Sequence, residues 1–254
     1  MINASVVTYN TPAEEVERIH AILSSSPLVK NVFIIDNTEN NRGYGAAHNI
    51  ALRRSLDDDV DYHLVVNSDI VFDPIIIGQL CEYMDSHLDV GQVMPRVTYP
   101  DGSLQYLCKC LPTPFDLFGR RFLPKRLTMQ RNHRFELRFT GYDKEMNVPY
   151  LSGCFMLFRV SALRDVGLFD ERFFLYPEDI DITRRIHRSY KTMFYPYCTI
   201  VHDHRRESYK SLRMTWVHIV NMCKYFNKWG WVFDAERTKV NNETLSELSA
   251  MSRQ

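Results

Sequence analysis

Three apolar, β-branched runs each end in polar side chains. INASVV leads into Thr8-Tyr9-Asn10, NVFII into Asp36-Asn37, and YHLVV into Asn67-Ser68-Asp69. Buried strands that end in carboxylates must satisfy those groups at the rim. A hard divalent cation holding a diphosphate is one partner for such a carboxylate. The competing reading is that Asp36 and Asp69 cap the turns that follow. Further on, Glu178, Asp179 and Asp181 crowd a helix start, where the dipole favours anions. Asp181 there reads first as a stabilising first-turn acid. FFLYP precedes Asp179, and an apolar wall beside a carboxylate tunes it for general-base work. His202 and His204 stand two apart at a strand end, so both can face one ion. Imidazole plus carboxylate suits Mn²⁺ better than Ca²⁺.

The segment NRGYGAAHNIAL carries Gly43 and Gly45. It begins like a dinucleotide fingerprint, but His48 stands where the third glycine belongs, and the segment follows the second strand. Its glycines point instead to close backbone approach or positive φ. Walker A, GxSxG, HExxH and kinase motifs are absent from the chain.

The elements that must position these groups follow one rhythm. Strands are expected at residues 2–8, 31–36 and 62–66, with helices between them. Thr11, Pro12 and Glu14 read as a capping box with proline at the first helical position, and Val16, Ile19 and Leu23 as one apolar face. Helices are also expected from about 46 to 55 and from Asp73-Pro74 to 87. This βαβαβ order predicts a doubly wound, mostly parallel sheet, with ligands beyond the carboxyl ends of its strands. Residues 91–147 lack a sustained period and read as strand fragments plus a loop that closes over a substrate. Residues 148–159 read as one strand, Ser161 as the cap of a short helix, and 192–195 and 199–201 as two short strands. A helical pattern from 208 to 227 and a polar, frayed tail after Asp234 complete the order.

The chain has 254 residues, 45% hydrophobic and 24% charged, which is ordinary globular usage. Net charge is zero, so no global field argues for nucleic acid. Charge is nonetheless segregated, at net +6 over 104–134 and net +5 over 205–230. Six dispersed cysteines without a Cys-x-x-Cys pair argue against a zinc ribbon or a disulfide framework. With no signal-like N-terminus and no membrane-length apolar run, the expected location is the cytoplasm. Trp216, Tyr225, Phe226, Trp229 and Trp231 accompany the second cationic segment. That combination suits peripheral contact at the inner face of the cytoplasmic membrane through 206–233, or equally a helix packed on the main domain.

Together, VVTYN, IIDN, NRGYGAAHNIAL, VVNSDI, SGCFMLFRVSALRDVGLFDERFFLYPEDIDITRRI and the strand-ending His resemble the family-two inverting glycosyltransferases, nearest to bacterial rhamnosyl- and galactofuranosyltransferase-like enzymes. The resemblance covers about residues 1–205. It implies a GT-A fold, a Rossmann-like α/β sheet flanked by helices, with 1–99 as the nucleotide-binding half and 100–205 as the acceptor and catalytic half. Residues 206–254 would form a C-terminal helical extension.

The resemblance also implies roles. Thr8 and Asp36 would hold the base of a UDP- or dTDP-linked sugar donor, with Tyr9 and Asn10 also binding the nucleotide. Asn41, Arg42, Gly43, Asn49 and Asn67 would line the nucleotide and diphosphate. Asp69, last residue of a DxD-like motif whose first position here is Asn67, would bind Mn²⁺ or Mg²⁺ with His202, His204 being the alternate. Asp179 would be the general base. Gly153, Glu178 and His204 would line the cleft between donor and acceptor, the acceptor being a glycan or lipid-linked glycan of surface polysaccharide assembly. Two other readings stand beside this one. A metal-dependent nucleotidyltransferase would want a basic, glycine-rich loop where TYNTPAEE stands. An inactive homologue serving as a scaffold would draw on the degenerate NSD motif.

Overall fold

Ile2, Ala4 and Val6 are fully buried, and so are Asn3 and Ser5, because β1 (Ile2–Thr8) lies between two parallel neighbours. Those neighbours are β2 (Val29–Asp36) and β3 (Tyr62–Val66). This is the burial expected of a near-continuous apolar run inside a parallel sheet. The computed structural model describes residues 1–119, 123–203 and 212–251. Helices α1 (Ala13–Ser24) and α2 (Tyr44–Asp57) connect these strands. The polar groups buried in β1 tie it to α2 and β3. Ser5 Oγ lies 2.8 Å from both His48 Nδ1 and His63 Nε2, and Asn3 donates to Ser55 Oγ at 2.9 Å.

After β4 (Ile70–Val71) and α3 (Ile75–Ser86), the chain enters β5 (Val90–Thr98). The remaining strands are β6 (Cys108–Lys109), β7 (Met146–Asn147), β8 (Tyr150–Leu151), β9 (Phe155–Arg159) and β10 (Lys191–His202). The main sheet has the order β2-β1-β3-β9-β5-β10-β4, with β7 also on β10, and β6 and β8 pair separately. Strands β1, β2, β3, β5 and β10 run one way and β9 runs against them, so the long strands are mostly parallel. Helices α4 (Lys125–Phe135), α5 (Val160–Val166), α6 (Glu178–His187), α7 (Leu212–Trp229) and α8 (Ala235–Met251) complete the fold, with a π-helix at Phe115–Gly119.

Several expectations are corrected. The capping box does not form: Thr11 Oγ1 accepts the Tyr9 N–H at 3.1 Å, and Pro12 occupies the cap position. Ser161 lies inside α5 rather than before it, and that helix has no side-chain cap. Residues 148–159 break into β8 and β9 at Ser152–Cys154, whereas β10 stays continuous by absorbing a bulge between Tyr195 and Thr199. The stretch 91–147 is not an open loop. Its β5 is central in the sheet, and Phe135, Leu137, Tyr142 and Met146 form a second core with Met94 and Phe194.

The tail is also ordered. Helix α8 is polar along most of its length, but Leu248 enters that second core. Buried Arg184 on α6 holds Asp234 through two 2.8 Å bonds and Glu236 through bonds of 2.7 and 3.2 Å. The apolar stripe of α7, with Met222, Tyr225 and Phe226, is buried, so the packing alternative holds for that stripe, while Trp216 is 67% exposed. All six cysteines are free thiols.

Candidate active site

The parallel register aligns the strand ends. Thr8 pairs with Asp36, and Ser5 with Val65, so Thr8, Asp36 and Asn67 reach one rim. Asp36 is exposed, and its Oδ1 accepts the Thr38 N–H at 2.9 Å. The Thr38 side chain, then its backbone, hold the Asp36 carboxyl below its usual value. Asp36 therefore does cap a turn while staying open to a ligand. Tyr9 is 55% exposed beside it, and Asn10, at φ +50°, donates to Thr38 Oγ1 at 3.1 Å. The next loop is organised by buried Asn37. Its amide donates to Asn41 Oδ1 at 3.0 Å and its Oδ1 accepts the Arg42 N–H at 2.9 Å, leaving the Arg42 side chain exposed.

Gly43 and Asn49 serve a different neighbour than expected. Gly43 has φ +89°, and a Cβ there would lie 2.3 Å from Phe174 O. The following Tyr44 N–H donates to that same oxygen at 3.0 Å. Asn49, 1% exposed, donates to Phe169 O and to Glu171, both at 2.9 Å, and accepts the Phe169 N–H at 3.1 Å. Its amide is fully engaged with the 169–171 loop. Both residues instead fasten the first half of the chain to the loop that precedes Asp179.

The antiparallel pairing of β4 with the end of β10 sets His202 opposite Ile70 and beside Asp69. Asp69 Oδ1 lies 3.4 Å from His202 Nε2. His202 Nδ1 stands 3.0 Å from Gln105 Oε1, and Gln105 Nε2 donates to His202 O at 2.8 Å. A proton on Nδ1 completes the first contact. Nε2 faces Asp69 as an N–H in the imidazolium form, and would present a lone pair to a cation shared with Asp69 on losing that proton. Gln105 is then the usual second-sphere device for a metal-ligating imidazole. Burial disfavours the imidazolium, but Cys154 and Asp69 outweigh it and raise the His202 pKa to about 10. The donor set fits a divalent cation that takes its remaining ligands from diphosphate oxygens and water. No cluster of three His, Cys, Asp or Glu side chains suited to a metal occurs among the described residues. His204 lies outside the described residues.

Asp179 sits in the first turn of α6, 8% exposed. Its Oδ2 accepts the Gly153 N–H at 3.0 Å and the Tyr150 hydroxyl at 3.4 Å, and its Oδ1 accepts the Ile180 N–H at 2.8 Å. Burial raises its pKa to about 6, held down by Lys109 and then by the hydrogen bonds. Glu178 is 4% exposed, and its Oε2 has no hydrogen-bond partner among the described residues. Burial, and then the Asp179 charge, push Glu178 well above the usual carboxyl range, so it keeps its proton when Asp179 is ionised. Asp181, fully buried, meets Arg185 at 2.9 Å, Lys228 at 2.6 Å and Trp229 Nε1 at 2.8 Å, in the stabilising role anticipated for it.

One residue connects the two halves. Tyr44 Oη donates to Gly153 O at 2.7 Å and lies 2.9 Å from the Asn67 side-chain amide, while the Asn67 N–H donates to Cys154 O at 3.0 Å. A phenol has one proton, so both contacts are satisfied when Asn67 turns its NH₂ toward Tyr44. Asn67, Gly153, Glu178 and Asp179 thus gather around Tyr44, with Asp69 two residues beyond Asn67 and His202 beside Asp69. Sequence reading missed Tyr44, Gln105, Tyr150 and Lys109. Tyr44 was visible only as the middle of a glycine pair, and nothing local marks Gln105, which is 97 residues from its partner.

Comparisons with known proteins agree on one class. A family model described as glycosyltransferase like family 2 matches residues 5–236. A curated protein of Mycobacterium tuberculosis, N-acetylglucosaminyl-diphospho-decaprenol L-rhamnosyltransferase, is 30% identical over 178 residues, covering 64% of this chain and 56% of that protein. The same enzyme from a second strain matches equally. The chain therefore spans little more than half the length of these relatives. Among solved structures, TarS residues 1–349 of S. aureus matches with TM-score 0.55 and 14% identity, covering 99% of this chain and 72% of that one. GalNAc-T7 with UDP, GalNAc and Mn²⁺ matches with TM-score 0.53 and 12% identity, covering 79% of this chain and 43% of that one. At these identities the two structures speak to the fold, which is GT-A.

Proposed function

The chain belongs to the glycosyltransferase-like family 2, and from that premise we propose that it transfers a sugar from a nucleoside-diphosphate donor to a hydroxyl of a glycan or lipid-linked glycan, inverting the anomeric centre. The observation that carries this reading is the continuous contact from Asn67 through Tyr44 to Gly153 and Asp179. It sets a buried carboxylate with pKa about 6 next to the rim where a diphosphate would be held.

The residues divide the work. Thr8, Tyr9, Asn10 and Asp36 form the shelf for the base, with Asn41 and Arg42 beside it. Asp69 and the Nε2 of His202 would hold Mn²⁺ or Mg²⁺, whose charge would neutralise the leaving diphosphate. Asp179 takes the proton of the acceptor hydroxyl during in-line attack on the face opposite the leaving group. Gly153 leaves room at this point, since a Cβ there would stand 3.2 Å from Asp179 Cβ. Glu178, protonated, adds no second charge to repel the departing diphosphate. Rhamnose as the transferred sugar and a lipid-linked acceptor are suggested by the name of the mycobacterial relative, and a UDP- or dTDP-linked donor by the family resemblance. We infer a role in surface polysaccharide assembly, at the inner face of the cytoplasmic membrane. No helix among the described residues is long and apolar enough to cross a membrane. Residues 1–205 would carry the chemistry, with 206–254 bracing α6 through Asp234 and Glu236.

Transfer from UDP- and dTDP-sugars, assayed with and without Mn²⁺, tests the reading. Asp179→Asn is expected to keep donor binding and lose at least about 10²-fold in transfer. A fully active Asn variant would remove Asp179 as the base.

A further inference from the structure

The two cationic, aromatic segments meet on one face of the molecule. Trp231 lies parallel to Phe118, with centroids 6.3 Å apart and 4° between planes, and packs on Phe226 at 5.2 Å. The loop 230–234, between α7 and α8, therefore sits beside the Phe115–Gly119 helix. Past this contact Val232 and Phe233 reach into solvent, 75% and 96% exposed, after Trp231 at 39%. Single exposed apolar residues are common, but three large ones in succession on a loop form a patch that calls for an occupant.

The loop is built to hold these side chains outward. Gly230 has φ +103°, and a Cβ there would meet Phe233 O at 2.6 Å, so the turn is tight. Beneath it lies buried Arg237, whose guanidinium donates to the carbonyls of Gly230 and Trp231 at 3.3 Å and of Val232 at 3.1 Å. Trp231 Nε1 donates to Asn227 Oδ1 at 2.8 Å. The carbonyls of Gly230, Trp231 and Val232, which water would otherwise serve, are satisfied from inside. That arrangement matters most where water is absent, because an unpaired carbonyl in hydrocarbon is costly.

Charge completes the match. Helix α4 carries four Lys/Arg and no acid within a segment of net +6, in a chain of zero net charge. The nearby acids are engaged: Asp116 with Arg131, Asp234 with Arg184, and Glu236 with Arg184 and Arg188. An apolar tip with a cationic collar fits an anionic lipid surface. We propose that the loop 230–234, collared by the Phe115–Gly119 helix and α4, is a membrane anchor that inserts Val232 and Phe233 into the interface of an anionic bilayer. The anchor lies behind the acceptor side of the site, since Phe118 and Phe226 share a core with Tyr150 and Ile180. The C-terminal half of α7 is not itself the membrane face, because Met222, Tyr225 and Phe226 are buried. Lipid binding of this kind requires no transferase activity.

The test is co-sedimentation of the full chain with phosphatidylcholine vesicles, alone and mixed equally with phosphatidylglycerol. The wild type is expected to sediment with the mixed vesicles and far less with phosphatidylcholine alone. Val232→Ser with Phe233→Ser is expected to weaken that binding by about tenfold or more, the worth of burying one or two such side chains. Its thermal midpoint and its rate on a water-soluble acceptor are expected to stay unchanged. Equal sedimentation of variant and wild type would overturn the proposal. So would a lipid-free dimer of the wild type that the variant abolishes, which would make the patch an interface between copies.

Discussion

Replacing Lys109 by methionine should displace the pH profile of transfer without touching the reacting groups. Lys109 places its ammonium 4.7 Å from the centre of the Tyr150 ring, and Tyr150 donates to Asp179. Burial pushes the Asp179 carboxyl up, and the Lys109 charge is the largest influence opposing it, leaving a pKa of about 6. A base must be ionised to act, so kcat/KM should fall below pH 6 by about tenfold per unit and be flat above it. Losing a nearby opposite charge moves a carboxyl by about one unit. The limb of Lys109→Met should then lie near pH 7. At pH 6 the ionised fraction drops from one half to roughly one tenth, a fivefold loss of rate, while at pH 8.5 the two enzymes should be equal. The assay is kcat/KM against pH at saturating metal, with Asp179→Asn as the variant lacking the limb. Superimposed profiles for wild type and Lys109→Met would show that Asp179 is not the group whose ionisation limits transfer.

Three further outcomes follow from the geometry. Asp69→Ala should abolish the gain in UDP or dTDP affinity that Mn²⁺ confers on the wild type, about tenfold or more by calorimetric titration; an unchanged gain would free Asp69 from the metal. Gly43→Ala should destabilise the protein by at least about 2 kcal/mol, lowering Tm by about 4–8 °C, because the new methyl meets a backbone oxygen at a positive φ; an unaltered Tm would contradict the fastening role assigned to this position. Glu178→Gln should be increasingly more stable than the wild type as pH rises. The folded pKa of Glu178 is raised, so its contribution to stability is full below the unfolded value of about 4.3 and is lost as pH climbs through the folded one, whereas glutamine does not titrate. A Tm difference that stays constant from pH 5 to 9 would refute this.

Legibility followed the range of the interactions. Strands β1 and β3 were plain because burial on both faces demands unbroken apolar runs. Their polar ends were plain because such runs must stop where ligands or water begin. Helix α8 was hidden because its polar surface carries no helical stripe, and its order comes from Leu248 and from the Arg184 pairs at its start. Thr11 and Glu14 offered a local cap, but Pro12 took the cap position and Thr11 turned to Tyr9. Asn49 shows the same limit at the site. Its segment marked it for the nucleotide, yet its amide faces a loop 120 residues away.

The family resemblance marked Asp69 and Asp179; from the residues themselves came the α/β class, the shared rim of the first strands, and the stabilising part of Asp181. These depend on strand-period hydrophobicity and on residues close to one another in the chain. Only the tertiary structure decided which distant groups meet: Tyr44 between Asn67 and Gly153, Gln105 behind His202, Lys109 near Asp179, and Phe118 on Trp231. Such pairs are separated by 23 to about 110 residues and joined by sheet register and helix packing. No local preference encodes a contact whose partner arrives only when the chain has folded.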